Sequence, residues 1–296
     1  MTATTPAALE AIEISEETRL SKFLYFARRN PTVMIGSSML LLIVAMAIFA
    51  PLIAPGDPLA LAPARRLKPP SAQYWFGTDM FGRDVYTRTI YGARISLIVG
   101  SFVAVISTVI GLTIGLISGY VRQVDAIVMR IMDGLMSIPG ILIAISMMAL
   151  SRASVRTVII AICVPEIPRV VRLVRGVVLT IREMPYIEAA KSIGTRFHWV
   201  LIKHILPNTF APLIVQATFI CAAAVLIEAG LSFIGAGTPP NIPSWGNIMA
   251  EGRTFFQIAF WIILFPGLFL SVTVLAINLL GDGLRDALDP RLARRM

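Results

Sequence analysis

Apolar residues in this chain gather in long blocks separated by short polar punctuation. Six blocks stand out, at about 33–54, 95–119, 126–150, 155–180, 209–234 and 256–280. An α-helix rises 1.5 Å per residue, so about 20 apolar residues cross a bilayer core. Lipid offers the backbone no hydrogen-bond partners, which leaves helices or a closed barrel, and the alternation of a barrel strand is absent. The pattern therefore predicts an all-α polytopic membrane protein with six transmembrane helices. Residues 1–296 read as a single transmembrane domain: a tail at 1–32, a long loop at about 55–94 and a second at about 181–208. The third block contains Asp133 and Pro139, and the fourth contains Pro165, Glu166, Pro168 and Arg169. Proline survives in membrane helices where neighbours re-satisfy the freed carbonyl, so these two spans are expected to be kinked and packed against protein.

Composition sharpens the class. Hydrophobic residues make up 56% and charged residues 15%, with a mean hydropathy of +0.79; a soluble domain carries about 25% charged residues. The net charge of +9 does not indicate nucleic acid, because Lys and Arg sit at block ends rather than on a reading element. Their distribution orients the chain. The tails, Arg122, Arg130 and the 172–203 segment hold sixteen of the 26 Lys and Arg, against nine on the other side and Arg169 within a span. The positive-inside rule then places both termini and the 181–208 loop in the cytoplasm and the 55–94 loop outside. The first block is too long for the apolar region of a cleaved signal, so it is expected to remain as an anchor.

Four ionisable residues fall at membrane depth: Asp133, Glu166, Arg169 and Glu228. Such groups are costly in lipid and mark either a path or gate or an internal neutralising pair. Glu166 and Arg169, one turn apart, suit such a pair, and Asp133 lies three residues after Arg130. Glu166 and Glu228 are the candidates for a translocation path or gate. Gly111, Gly115 and Gly119 repeat every four residues and offer one flat stripe for close helix packing, more plausibly within the chain than against another subunit. Tyr120, Trp245 and Trp261 stand at block edges and read as interfacial anchors. Cys163 and Cys221 lie inside blocks as small hydrophobes. His198 and His204 lack the company a metal needs, so no metal site is expected. No Gly-x-x-x-x-Gly-Lys-Ser/Thr occurs, which excludes a P-loop ATPase site.

The 181–208 loop is the most informative segment. Pro185 suits a first helical turn and Gly194 a left-handed stop; Thr195 is then placed to cap a second helix ended by Pro207 and Asn208. Ala189 and Ala190 beside Glu188 leave a small-residue surface where another backbone can approach, with one charge for a basic partner. An amphipathic connector at the headgroups fits the same pattern.

Glu188-Ala189-Ala190, then Gly194, then Leu206-Pro207 resembles the EAA loop of binding-protein-dependent ABC permeases; His204 stands where that pattern usually has an aliphatic residue. Phe76-Gly77-Thr78-Asp79 through Arg83-Asp84, with Arg88 and Tyr91-Gly92-Ala93-Arg94-Ile95-Ser96-Leu97, resembles the external segment of the C-type dipeptide/oligopeptide permeases. Glu228 through Gly235 with Pro239-Pro240 and Pro243-Ser244-Trp245-Gly246, and Asn278 through Asp286 with Leu288-Asp289-Pro290, are similar to two further segments of that family. The resemblance implies the fold of an ABC type I importer transmembrane domain in the bacterial inner membrane, and a permease subunit moving peptides or similar small solutes. It implies coupling through Glu188, Ala189, Ala190, Gly194, Leu206 and Pro207, a second homologous permease, two ATP-binding subunits that hold ATP and Mg2+, and an extracytoplasmic solute-binding protein. It leaves open dipeptide, oligopeptide, opine, glutathione or nickel chelate as cargo. A proton-coupled secondary transporter is the rival class, but it calls for stacked carboxylates through the spans, and only Glu166 and Glu228 qualify.

Overall fold

The computed structural model describes residues 27–288; the tail before Ala27 and the Asp289-Pro290 part of the C-terminal motif lie outside them. Nine helices organise the described residues: α1 (Pro31–Ile48), α2 (Val85–Tyr120), α3 (Arg122–Met136), α4 (Gly140–Ala149), α5 (Val155–Arg182), α6 (Pro185–Ser192), α7 (Phe197–Phe233), α8 (Trp245–Gly252) and α9 (Trp261–Leu288). Among these residues there is no strand, only an isolated bridge between Thr78 and Asp84. α1, α2, α7 and α9 are long and apolar enough to cross a membrane, and α3 with α4, bent by 81° at their junction, meets the same test as a pair. The sixth expected span, α5, is 28 residues long but carries Arg156, Glu166, Arg169, Arg172 and Arg175, so apolarity alone does not mark it.

Packing fixes the directions. A Cβ built on Gly111, Gly115 or Gly119 of α2 would stand 2.4, 2.7 and 2.7 Å from the Cβ atoms of Val170, Val174 and Val178 of α5. The stripe thus brings α2 and α5 together in parallel within one chain, with the valine ridge filling the glycine groove. Ser96 of α2 meets Glu228 of α7, so α7 runs the opposite way. The start of α1, the end of α9, the ends of α2 and α5 and the whole of α6 therefore share one face, called here the hairpin face. The loops 49–84 and 234–260 share the opposite one.

Two span boundaries differ from the sequence reading for local reasons. The first span breaks at Phe49 and resumes as a short helix, Ala50–Ile53, because Pro51 has no N–H to return to the Ala47 carbonyl. Arg94 of α2 takes over as a cap: its Nε donates to Ala47 O and its Nη2 to Ile48 O at 2.8 Å. The second span starts ten residues early, at Val85, where Asp84 caps the helix by accepting from Thr87 N at 3.0 Å. The 55–94 loop is shortened accordingly.

The tryptophans are a correction. Trp245 and Trp261 are buried, with indole N–H groups donating to Thr89 O at 3.0 Å and Thr78 O at 3.2 Å. They are core residues of a cap that folds back onto the helix ends, not interfacial anchors. Tyr120 lies at the hairpin face, edge-on to Phe197 at 4.9 Å with Lys191 Nζ 5.3 Å above its ring.

Candidate functional site

The hairpin between α5 and α7 is built by three local devices. Pro185 occupies the first turn of α6, where its missing N–H costs nothing. The helix ends in a Schellman motif: Gly194 sits at φ +80°, its N–H bonds Lys191 O at 2.9 Å, and Thr195 N–H reaches back to Ala190 O at 3.1 Å. The chain then re-enters a helix at Phe197, with Arg196 as N-cap and no side-chain capping bond, so Thr195 does not cap as expected.

The second helix also does not stop at Pro207. A π turn at Val200–Ile205 widens the helix just ahead of the proline, leaving Pro207 in the first turn of the α-helix Leu206–Phe233. Asn208 Nδ2 donates to the His204 carbonyl at 2.6 Å. The hairpin arm is therefore continuous with a 37-residue helix that runs across the bundle. Leu206 and Pro207 are points on that lever, not its end.

One side of the hairpin is anchored and the other is bare. Ile187, Ala190, Val200, Leu201 and Ile205 are buried against the bundle. Arg182 Nη1 donates to Gly119 O at 3.1 Å, and Tyr120 is held between Lys191 and Phe197, so the hairpin grips the last turn of α2 as well. Outward face Glu188, Ala189, Tyr186 and Ile193, the last 83% exposed. Of the two expected contact alanines only Ala189 is open; Ala190 faces inward because it follows Ile187 by three residues on the buried stripe. The Glu188 carboxylate has no ion-pair or hydrogen-bond partner among the described residues. The helix fixed to two long ones thus presents a bare isoleucine, an open alanine and a carboxylate with no partner among the described residues.

At the opposite face lie two buried polar nodes. Glu228 is fully buried; its carboxylate accepts from Ser232 Oγ at 2.9 Å and Ser96 Oγ at 3.2 Å, with Thr238 Oγ1 at 3.5 Å. Thr238 in turn bonds Ser244, and Asn247 Nδ2 reaches Thr238 and Pro239. The carboxylate thus ties the 234–244 loop to α2 and α7. Glu166 pairs with Arg169 Nη1 at 3.0 Å, as its spacing suggests. Asp133 pairs across to Arg172 at 2.5 Å rather than with Arg130, because the α3–α5 packing brings Arg172 closer than the neighbouring turn does. Glu166 and Glu228 are thus far from forming one relay; each is satisfied separately.

The second node was not legible in the sequence as a node. Asp79 accepts from Arg83 Nε and Arg88 Nη1, both at 2.6 Å, and Glu251 of α8 accepts from both arginines. Asp79 Oδ1 also takes the N–H groups of Phe81 and Arg83 at 2.8 and 2.9 Å. Two carboxylates and two guanidiniums, Arg88 and Asp79 fully buried, lock the 62–84 segment to α2 and α8. Gly82 makes the tight return possible at φ +76°, with a Cβ there only 1.8 Å from Ala62 O. Asp79, Arg83 and Arg88 were visible as motif members, but their partner Glu251 lies 163 positions beyond Arg88.

Long crossing helices, a buttressed cap at one face and a fixed hairpin presenting a bare contact surface at the other define a transport protein of the permease class. The chain belongs to the family described as binding-protein-dependent transport system inner membrane component, which it matches over residues 107–294, and residues 21–70 match the N-terminal transmembrane domain of oligopeptide transport permease C. It is 54% identical over 269 residues to a probable peptide ABC transporter permease, y4tQ, of Sinorhizobium fredii, covering 91% of this chain and 92% of that one. It is 42% identical to the dipeptide transport permease DppC of Alkalihalophilus pseudofirmus (90% and 88% covered) and 38% identical to the probable D,D-dipeptide permease DdpC of Escherichia coli (95% of each). In fold it is similar to a chain from inward-facing structures of the MetNI methionine ABC transporter, with a TM-score of 0.55 over 68% of this chain and 96% of that chain, at 22% identity.

Proposed function

We propose that this permease forms half of a peptide-conducting pore and is driven by separate ATP-hydrolysing subunits that grip the 185–205 hairpin. The reading places the hairpin and both termini in the cytoplasm, in keeping with the positive-inside bias. A second, homologous permease completes the pore, two ATP-binding subunits lie beneath, and an extracytoplasmic binding protein delivers peptide to the capped face. The single observation that carries this reading is the hairpin itself: Ile193 bare, Glu188 unpartnered, and the base continuous with α7 and fastened to α2 at Gly119 and Tyr120. A rigid element with two long arms can convey a push at its tip into rotation of the bundle, which a flexible loop cannot.

The reading assigns Glu188, Ala189, Ala190 and Gly194 to coupling, with Leu206 and Pro207 at the base of the lever. Gly194→Val forces a β-branched residue into a left-handed conformation and should misaim Ile193 without touching the spans. In reconstituted transporter, Gly194→Val and Glu188→Arg are each expected to slow peptide uptake by about tenfold, in the range of coupling free energies between linked sites. ATP hydrolysis by the complex should continue. Uptake at the parent rate in both variants would reject the assignment.

A further inference from the structure

Charged side chains stand exposed at membrane depth on one face of the bundle. Asp133 of α3 is 60% exposed, and Arg169 and Arg172 of α5 are 55% and 44% exposed. Arg182 marks the hairpin end of α5 by its bond to Gly119 O. Counting back along α5, Arg172 and Arg169 lie ~15 and ~20 Å from that end, near the middle of a 28-residue helix ~42 Å long. Lipid does not receive such groups; they face protein or water.

The same face carries a second anomaly. Between α3 and α4 the chain turns by 81° around Ser137 and Pro139, and Ile138 in that break is half-exposed. Irregular backbone at membrane depth persists only where protein encloses it or water reaches it, and the described residues leave Ser137, Ile138 and Pro139 exposed. Gly134 of α3 and Gly176 of α5 open onto empty space, and a shallow, largely apolar recess of about 480 Å³ runs along α5 beside Arg172, Leu173, Gly176, Val177, Thr180 and Ile181.

The donors on this face are only partly used. Arg169 meets Glu166 through Nη1 and Arg172 meets Asp133 through Nη2. Each guanidinium keeps a free edge among the described residues, and a guanidinium edge matches a carboxylate with two parallel bonds. The two arginines stand one turn apart on α5, on the same side. Asp133 beside them offers a partner for an ammonium group. A peptide zwitterion carries both charges.

We propose that the α3–α5 face is the wall of the water-filled path and that Arg169 and Arg172 receive the carboxylate of the peptide as it crosses, an assignment that rests on the importer reading above. The paired carboxylates keep the face neutral when empty and compete with the cargo, which keeps the contact weak enough for release.

The test uses the whole transporter (both permeases, ATPase subunits and binding protein) with Cys163 and Cys221 of this chain replaced by alanine. Asp133→Asn with Arg172→Cys removes both members of one pair, so no unpaired charge is left behind. Trialanine uptake is expected to fall about tenfold, as for loss of one charge-assisted hydrogen bond, while ATP hydrolysis stays within about twofold of the parent. Reaction in nanodiscs with cationic 2-aminoethyl methanethiosulfonate, before reconstitution into vesicles, should restore at least about half of the lost rate; the anionic 2-sulfonatoethyl reagent should not. Uptake at the parent rate in the unreacted double variant would show the pair to be structural and overturn the proposal. Failure of the introduced thiol to react with either reagent would place the face against the second permease and overturn it equally. A parent complex that hydrolyses ATP without moving trialanine would instead remove the importer reading itself.

Discussion

Replacing Arg88 with methionine is expected to unfasten the 62–84 segment and destabilise the chain by about 3–5 kcal/mol, the usual cost of breaking a buried ion pair from one side. Arg88 of α2 is fully buried and bridges Asp79 of the 62–84 segment to Glu251 on α8. Methionine fills much of the same volume, so the loss is electrostatic: buried Asp79 keeps Arg83 as its one ion-pair partner among the described residues, and Arg83 alone must then serve two carboxylates. In detergent the thermal midpoint should fall on the order of 10 °C. Trypsin should cut faster at Arg65 and Arg66, in the stretch that the intact network holds through Thr78 and its bonds to Arg65 O and Lys68 N. A midpoint within about 2 °C of the parent would mean the quartet contributes little beyond its own desolvation.

Gly115→Leu is expected to be as severe by another route. The α2–α5 approach leaves 2.7 Å between an added Cβ and Val174 Cβ, and 3.0 Å to Val171 O, with Gly111 and Gly119 fixing the spacing one turn to each side. A leucine has no free volume there, so α2 and α5 must separate along the whole stripe, costing more than the about 1–3 kcal/mol of ordinary overpacking. The folded fraction recovered from membranes, measured by size-exclusion profile, should drop severalfold. Val174→Gly removes the Cβ that an alanine at 115 would meet, so the two changes together should cost less than the sum of each alone. If the losses simply added, the two positions would not face each other as described.

How much of this was legible in the sequence depends on the range of the interaction. The glycine stripe, the Glu166–Arg169 pair, Pro185 and the Gly194 stop were readable because each is a local device, complete within a few residues. The α2 start was missed because Thr87, Arg88 and Thr89 look like loop, yet Asp84 caps them and Glu251 neutralises the arginine from far along the chain. Trp245 and Trp261 were misread since hydropathy ranks a residue by its own chemistry and cannot register that 234–260 folds back over the helix ends. Pro207 deceived for a subtler reason. A proline breaks a helix interior by its missing N–H and its crowding of the carbonyl four residues back, but the π turn at Val200–Ile205 leaves Pro207 in the first turn of the next α-helical stretch, where proline is tolerated. Motif resemblance located the hairpin and the cap, but only the packing showed that the hairpin is one piece with α7.

The account depends on the hairpin tip being a cytoplasmic contact for an ATP-hydrolysing subunit. The most direct measurement is thiol labelling of Ile193→Cys in a chain with Cys163 and Cys221 replaced by alanine, using a membrane-impermeant maleimide. The account predicts no labelling in intact cells, labelling in inverted membrane vesicles, and shielding when the ATPase subunits are added back. Labelling from outside intact cells, or a reaction rate unaffected by the ATPase subunits, would contradict it.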